Sequence, residues 1–122
     1  MTLVMARANE STGLSIKSIK LEEMITIFLG MLDFPVSPPD IRKYVNYLST
    51  LLNGTSLSEK EINYGISLLY QKNYLSTENG HYVILTDKGK KWYRSILSDA
   101  SREMLEELIE YSILLRSILL TT

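Results

Sequence analysis

The stretch Leu69-Tyr70-Gln71-Lys72-Asn73-Tyr74-Leu75-Ser76-Thr77-Glu78-Asn79-Gly80-His81-Tyr82-Val83-Ile84-Leu85-Thr86-Asp87-Lys88-Gly89 decides the fold. It opens at the end of a helical apolar pattern and passes into two short runs, Tyr74 to Thr77 and His81 to Leu85, with Glu78-Asn79-Gly80 between them. Asn-Gly is the favoured pair for a tight hairpin turn, because both residues tolerate positive φ. Thr86 then offers a hydroxyl to cap a new helix, which runs through Trp92, Tyr93, Ile96 and Leu97 to a break at Ser98-Asp99. Helix, β-hairpin and helix follow one another with almost no loop between them.

Upstream, three helices are expected. The third starts at a capping box: the Ser58 hydroxyl can accept from the Glu61 amide while the Glu61 carboxylate reaches back to the Ser58 amide. Ile62, Gly65, Ile66 and Leu69 fall on one of its sides, and it ends near Lys72 or Asn73. The second is announced by Ser37-Pro38-Pro39-Asp40, in which Ser37 caps, Pro38 has the φ of a first turn and Asp40 favours the positive helix end. Ile41, Tyr44, Val45, Leu48, Leu51 and Leu52 form its buried stripe, and Asn53-Gly54 supplies a left-handed stop. The first begins at Lys20, places Leu21, Met24, Ile25, Phe28, Met31 and Leu32 on one face, and stops near Asp33 because Pro35 restricts Phe34. Residues 1–19, with the loop-forming cluster Asn9 to Gly13, are expected to be a flexible N-terminal arm.

Downstream, a last helix is expected from about Asp99 to Leu120. Met104, Leu108, Tyr111, Leu115 and Ile118 recur in it at spacings of four, three, four and three, with Leu105, Ile109, Leu114 and Leu119 beside them. Together with Ile113 and Leu120 this is more apolar surface than the terminal helix of a small monomer usually hides. Residues 98–122 are therefore expected to form a homodimerisation helix, with Met104, Leu108, Tyr111, Leu115, Ile118 and Leu119 at the interface. Packing back on the first helix of the same chain is the alternative.

The run Leu69 to Leu75, followed by Leu85-Thr86-Asp87-Lys88-Gly89, resembles the end of the recognition helix, the wing and the leucine-threonine-two-residues-glycine signature of PadR-like and MarR-like regulators. The likeness covers roughly residues 20 to 120. It implies a mainly α (α+β) winged helix-turn-helix domain over residues 20–97, with a short hairpin wing over 74–85. It also implies that the third helix, about 58–72, enters the DNA major groove while terminal helices join two copies.

The residues of that third helix suit the role. Opposite Ile62, Ile66 and Leu69 lie Lys60, Tyr64, Ser67 and Gln71, with Asn63 at the edge. Lys60 suits a phosphate or guanine, Gln71 and Asn63 suit adenine, and Tyr64 and Ser67 suit backbone or base edges. A second basic group, Lys88, Lys90, Lys91 and Arg94, surrounds a helix N-terminus and could hold phosphates, with Lys72, Arg42 and Lys43 as extensions. His81, the one histidine, sits beside the hairpin turn, where a reaching wing would bring it to DNA. Each of these also suits a plain solvent-facing surface.

Composition limits the alternatives. The chain has 122 residues, 45% of them hydrophobic and 22% charged, the size and profile of one globular domain. With no cysteine, disulfides, thiolate nucleophiles and cysteine-based metal sites are excluded. No glycine-flanked serine, phosphate loop or dinucleotide fingerprint is present, and Glu103, Glu106, Glu107 and Glu110 lack a histidine to suggest a metal site. A non-enzyme without cofactor or metal is expected. The first residues lack a signal-peptide pattern and no apolar run is long enough to span a bilayer, so a cytoplasmic protein without membrane contact is expected. The net charge of −1 requires any DNA-binding patch to be local, and it leaves room for a winged-helix protein-interaction module that never touches DNA.

Overall fold

The computed structural model describes residues 20–120; the arm assigned to residues 1–19 lies outside them. Five helices and one hairpin follow in the order α1 (Leu21–Leu32), α2 (Pro38–Asn53), α3 (Glu59–Gln71), β1 (Leu75–Glu78), β2 (Tyr82–Leu85), α4 (Asp87–Ser98) and α5 (Arg102–Leu120).

α1 is the hub of the molecule. It packs against α2, α3, α4, α5 and β2, and Met24 through Leu29, Met31 and Leu32 are all buried. Surrounded on every side, it is apolar on more than one face, as a core helix must be. Thr26, inside this helix, is satisfied by donating its hydroxyl to the Glu22 carbonyl at 2.8 Å.

Local chemistry sets the other helix ends. Ser37 accepts from the Asp40 amide at the start of α2, and Gly54 closes that helix with a φ of 71°. At α3 both halves of the capping box form: Glu61 N–H donates to Ser58 Oγ at 3.1 Å and Ser58 N–H to Glu61 Oε1 at 2.9 Å. α5 starts three residues later than Asp99, at Arg102, because Ala100 and Asp99 still donate back to the end of α4 while Ser101 accepts from the Met104 amide.

β1 and β2 pair antiparallel from Leu75 opposite Leu85 to Glu78 opposite Tyr82. Asn79 and Gly80 both take positive φ, and the turn is closed by His81 N–H donating to the Glu78 carbonyl at 3.2 Å. His81 thus belongs to the turn and not to a strand. A bridge not anticipated from sequence joins Val36, between α1 and α2, to Val83 through two backbone hydrogen bonds of 3.0 and 2.8 Å. It anchors the hairpin to the segment just before α2.

The leucine-threonine-two-residues-glycine element acts as a joint. Thr86 accepts from the Gly89 amide to cap α4 and donates its hydroxyl to the Asn73 carbonyl at 2.7 Å, just beyond α3. A Cβ on Gly89 would collide with the Tyr74 carbonyl oxygen, so glycine is what lets α4 meet the chain leaving α3. Gly30 does the same for the Tyr93 ring, which lies directly against the α1 backbone.

Two expectations about buried faces need correction. Leu51 is 45% exposed, and the small polar Ser49 is buried instead, donating to the Thr55 carbonyl at 2.8 Å. The stripe of α5 assigned to a dimer contact turns into its own protomer: Leu108 and Leu115 are buried in the common core, and Met104, Tyr111, Ile118 and Leu119 pack against that core half-buried. Tyr111 donates its hydroxyl to the Tyr44 carbonyl on α2, and Arg116 donates to the Met31 carbonyl at the end of α1, both at 2.8 Å. The face left outside carries Ile109, Ile113, Leu114 and Leu120, each more than half exposed. Residues 98–120 therefore share one hydrophobic core with the rest of the domain.

Candidate nucleic-acid interface

α3 buries Ile62, Gly65 and Leu69 against the domain and turns Lys60, Asn63, Tyr64, Ser67 and Gln71 outward, all five exposed. Tyr64, at 65% exposure, is the most exposed large hydrophobic side chain of the helix. The candidate stripe is thus brought together along one face. Glu61 lies beside it, but its carboxylate accepts hydrogen bonds from the Ser58 amide and hydroxyl, which hold its pKa below the usual carboxylate value.

Two members of the predicted set are already engaged within the protein at α3. Asn63 Oδ1 accepts from Arg42 Nη1 on α2 at 3.4 Å, and the same guanidinium lies 3.8 Å from Glu59. Lys72 is paired with Glu22 of α1 at 2.8 Å, which raises its pKa, so its charge is compensated in the unbound protein. Neither partner carries a local sequence signal, because they stand 21 and 50 positions away.

The second basic group divides in two. Lys88 donates to the Lys72 carbonyl at 3.1 Å and lies over the Tyr74 ring, so it closes the end of α3. Tyr74 in turn stacks on Trp92 at 4.8 Å. Lys91 and Arg94 stay exposed on the outer side of α4, whereas Lys90 is half-buried. The structure therefore joins Lys72 and Lys88 to α3 and sets Lys91 and Arg94 on a separate helix. His81 is exposed at the wing turn, edge-on to Tyr82 at 5.3 Å.

A hydroxyl pair with no local sequence signal ties α3 to the hairpin. The Tyr70 and Thr77 hydroxyls lie 2.7 Å apart, linking α3 to β1. On the other side of α3, a cleft of about 280 Å³ separates it from α2 and is lined by Arg42, Asn46, Leu57, Glu59 and Ile62 among others. Among the described residues, no cluster of three or more acidic or histidine side chains is arranged to hold a metal, and no helix is long and apolar enough to cross a membrane.

No family model matches the chain, and no curated protein does. Among solved structures it is similar to the crystal structure of SSV1 F-93, at a TM-score of 0.52 and 18% sequence identity, over 77% of this chain and 99% of that one. The fold is a winged helix. The element order agrees with that fold: α1, α2 and α3 precede the hairpin wing of β1 and β2, and α5 is the long C-terminal helix.

Proposed function

We propose that this winged helix is a sequence-specific DNA-binding transcriptional regulator that acts as a homodimer. The observation that carries the reading is the exposed row Lys60, Tyr64, Ser67 and Gln71 on the helix that this fold offers to a major groove. Base-edge contacts come from Gln71, Asn63 and Tyr64, whereas Lys60, Lys91 and Arg94 supply charge for phosphates. Lys72 serves only if DNA displaces Glu22, and Lys88 chiefly positions the joint. The wing stays near the backbone: its tip carries Glu78 and His81 without arginine, the usual minor-groove probe.

For the homodimer, the support lies on the outer face of α5. Ile109, Ile113 and Leu120 repeat at spacings compatible with a helix-pairing seam, and all three face away from the protomer core. A gel shift with genomic fragments tests the DNA-binding reading, repeated with Lys60→Ala, Gln71→Ala and Lys91→Ala. Weaker shifts in the variants support the surface, and unchanged shifts remove it.

A second reading has its own observation. Arg42 and Lys72, two cations bordering the reading helix, are both compensated by acids of the same protein, which suits a winged helix that serves as a protein-interaction module. The exposed apolar face of α5 would then be its contact. Such binding would persist at high salt, where phosphate-driven binding fades.

A further inference from the structure

Three side-chain links cross the cleft between α2 and α3. Asn46 Oδ1 accepts from the Leu57 amide at 2.7 Å, Arg42 Nε lies 3.8 Å from Glu59 Oε1, and Arg42 Nη1 donates to Asn63 Oδ1 at 3.4 Å. Arg42 and Asn46 are one helical turn apart, so both leave the same face of α2. The first link fixes the turn before α3, and the second steadies the guanidinium. The third acts on a side chain at the edge of the reading face.

An asparagine amide accepts at one end and donates at the other, and rotation of the side chain by half a turn exchanges the two. A guanidinium has donors only. The atom that Asn63 turns to Arg42 is therefore Oδ1 as a matter of chemistry, and Nδ2 occupies the other branch of the amide. Oδ1 has two lone pairs and accepts one bond from Arg42, so it can accept a second while Nδ2–H donates. That acceptor and donor on a single edge are what adenine meets with its N6 amino group and N7 in the major groove.

We propose that Arg42 is a positioning residue for base reading, holding the Asn63 amide in one of its two orientations so that its Oδ1 and Nδ2 edge meets adenine without being ordered on binding. The proposal rests on α3 entering the groove. Arg42 itself touches no base in this scheme. Sparing one side chain its ordering cost corresponds to roughly two- to ten-fold in affinity for the preferred base. The effect is confined to the base pair that Asn63 reads, whereas a cation lost from a phosphate contact weakens all sequences alike.

The test selects binding sites from a random duplex library with the full chain and with Asn63→Ala, Arg42→Met and Arg42→Lys, then measures affinity for the selected site and its single-base variants. Asn63→Ala should erase the preference for adenine at one base pair and so identify it. Arg42→Met should lower discrimination at that same pair about two- to ten-fold with the other positions unchanged, and Arg42→Lys, which still donates, should restore part of it. Uniform weakening by Arg42→Met across all sequences would make Arg42 a backbone contact and overturn the proposal, as would full discrimination without the guanidinium. If Asn63→Ala alters no preference, the proposal fails while groove reading by the rest of α3 stands. A wild-type protein that selects no sequence overturns both.

Discussion

Changing Leu115 to Ala and, separately, Ile113 to Ser probes the two faces of α5. Leu115 is 1% exposed and Ile113 64%, although the two residues lie within one turn of the same helix. Truncating a fully buried leucine removes its transfer free energy and leaves a cavity, costing about 2–5 kcal/mol. A domain with about this many ordered residues loses about 4–8 °C in Tm per kcal/mol, so even the lower bound moves the midpoint by about 8–16 °C. Ile113→Ser touches no core atom and should stay within about 0.5 kcal/mol of the wild type, a shift of no more than about 4 °C. Thermal unfolding followed by circular dichroism at low protein concentration separates the two, and light scattering at higher concentration shows which variant loses self-association. Leu115→Ala should lower the midpoint, and Ile113→Ser should shift the chain toward monomer. An unchanged midpoint for Leu115→Ala, together with loss of the dimer, would return the inner stripe to an intermolecular role and refute the packing described here.

Gly89→Ala should destabilise the domain by about 1–3 kcal/mol, because the new methyl meets the Tyr74 carbonyl oxygen, a backbone atom that cannot swing aside; a chemical denaturation curve checks this. Stability should fall as pH rises above about 10. Burial raises the pKa of Tyr111, and of Tyr93, above the ordinary phenol value, so the unfolded chain releases these protons first and alkali favours unfolding. Denaturant midpoints between pH 8 and pH 11 should therefore decline less steeply in Tyr111→Phe than in the wild type. Gln71→Ala should relax base preference at one position by about 1–3 kcal/mol with the unfolding midpoint unchanged, as competition between single-base variants of a bound site would show.

What the sequence made legible was chiefly local. Ser37, Ser58 with Glu61, Thr86 and Asn79-Gly80 act on amides or dihedrals within a few residues, so their chemistry can be read in place, and each appears in the structure as the residue order implies. The apolar period of α5 was equally plain, but a period says which face seeks burial and not what covers it. Its partner proved to be α1 and α2 of the same chain, with Tyr111 reaching the Tyr44 carbonyl across 67 positions. Leu51 and Ser49 show the same limit in α2: the turn that brings Thr55 back over Ser49 fixes which of them is covered.

The candidate interface divides along the same line. The outward row of α3 follows from helical geometry once Ile62 and Leu69 are assigned to the core. Which of those groups are committed elsewhere does not, because Lys72 meets Glu22 and Asn63 meets Arg42 only after α1, α2 and α3 have packed. Near-neutral net charge likewise hides how charge is distributed: of the two acids at the start of α3, Glu59 lies 3.8 Å from Arg42 and Glu61 accepts from the Ser58 amide.

Engagement of duplex DNA by α3 and the exposed cations is read in the salt dependence of binding. Affinity for a fixed duplex should fall linearly on logarithmic axes as salt rises, with a slope of about −0.9 for each phosphate contacted. Lys91→Ala should flatten that slope by about one for each copy of the chain on the site. A slope near zero in the wild type, or one that none of Lys60→Ala, Lys91→Ala and Arg94→Ala alters, would mean that these cations do not meet DNA phosphates.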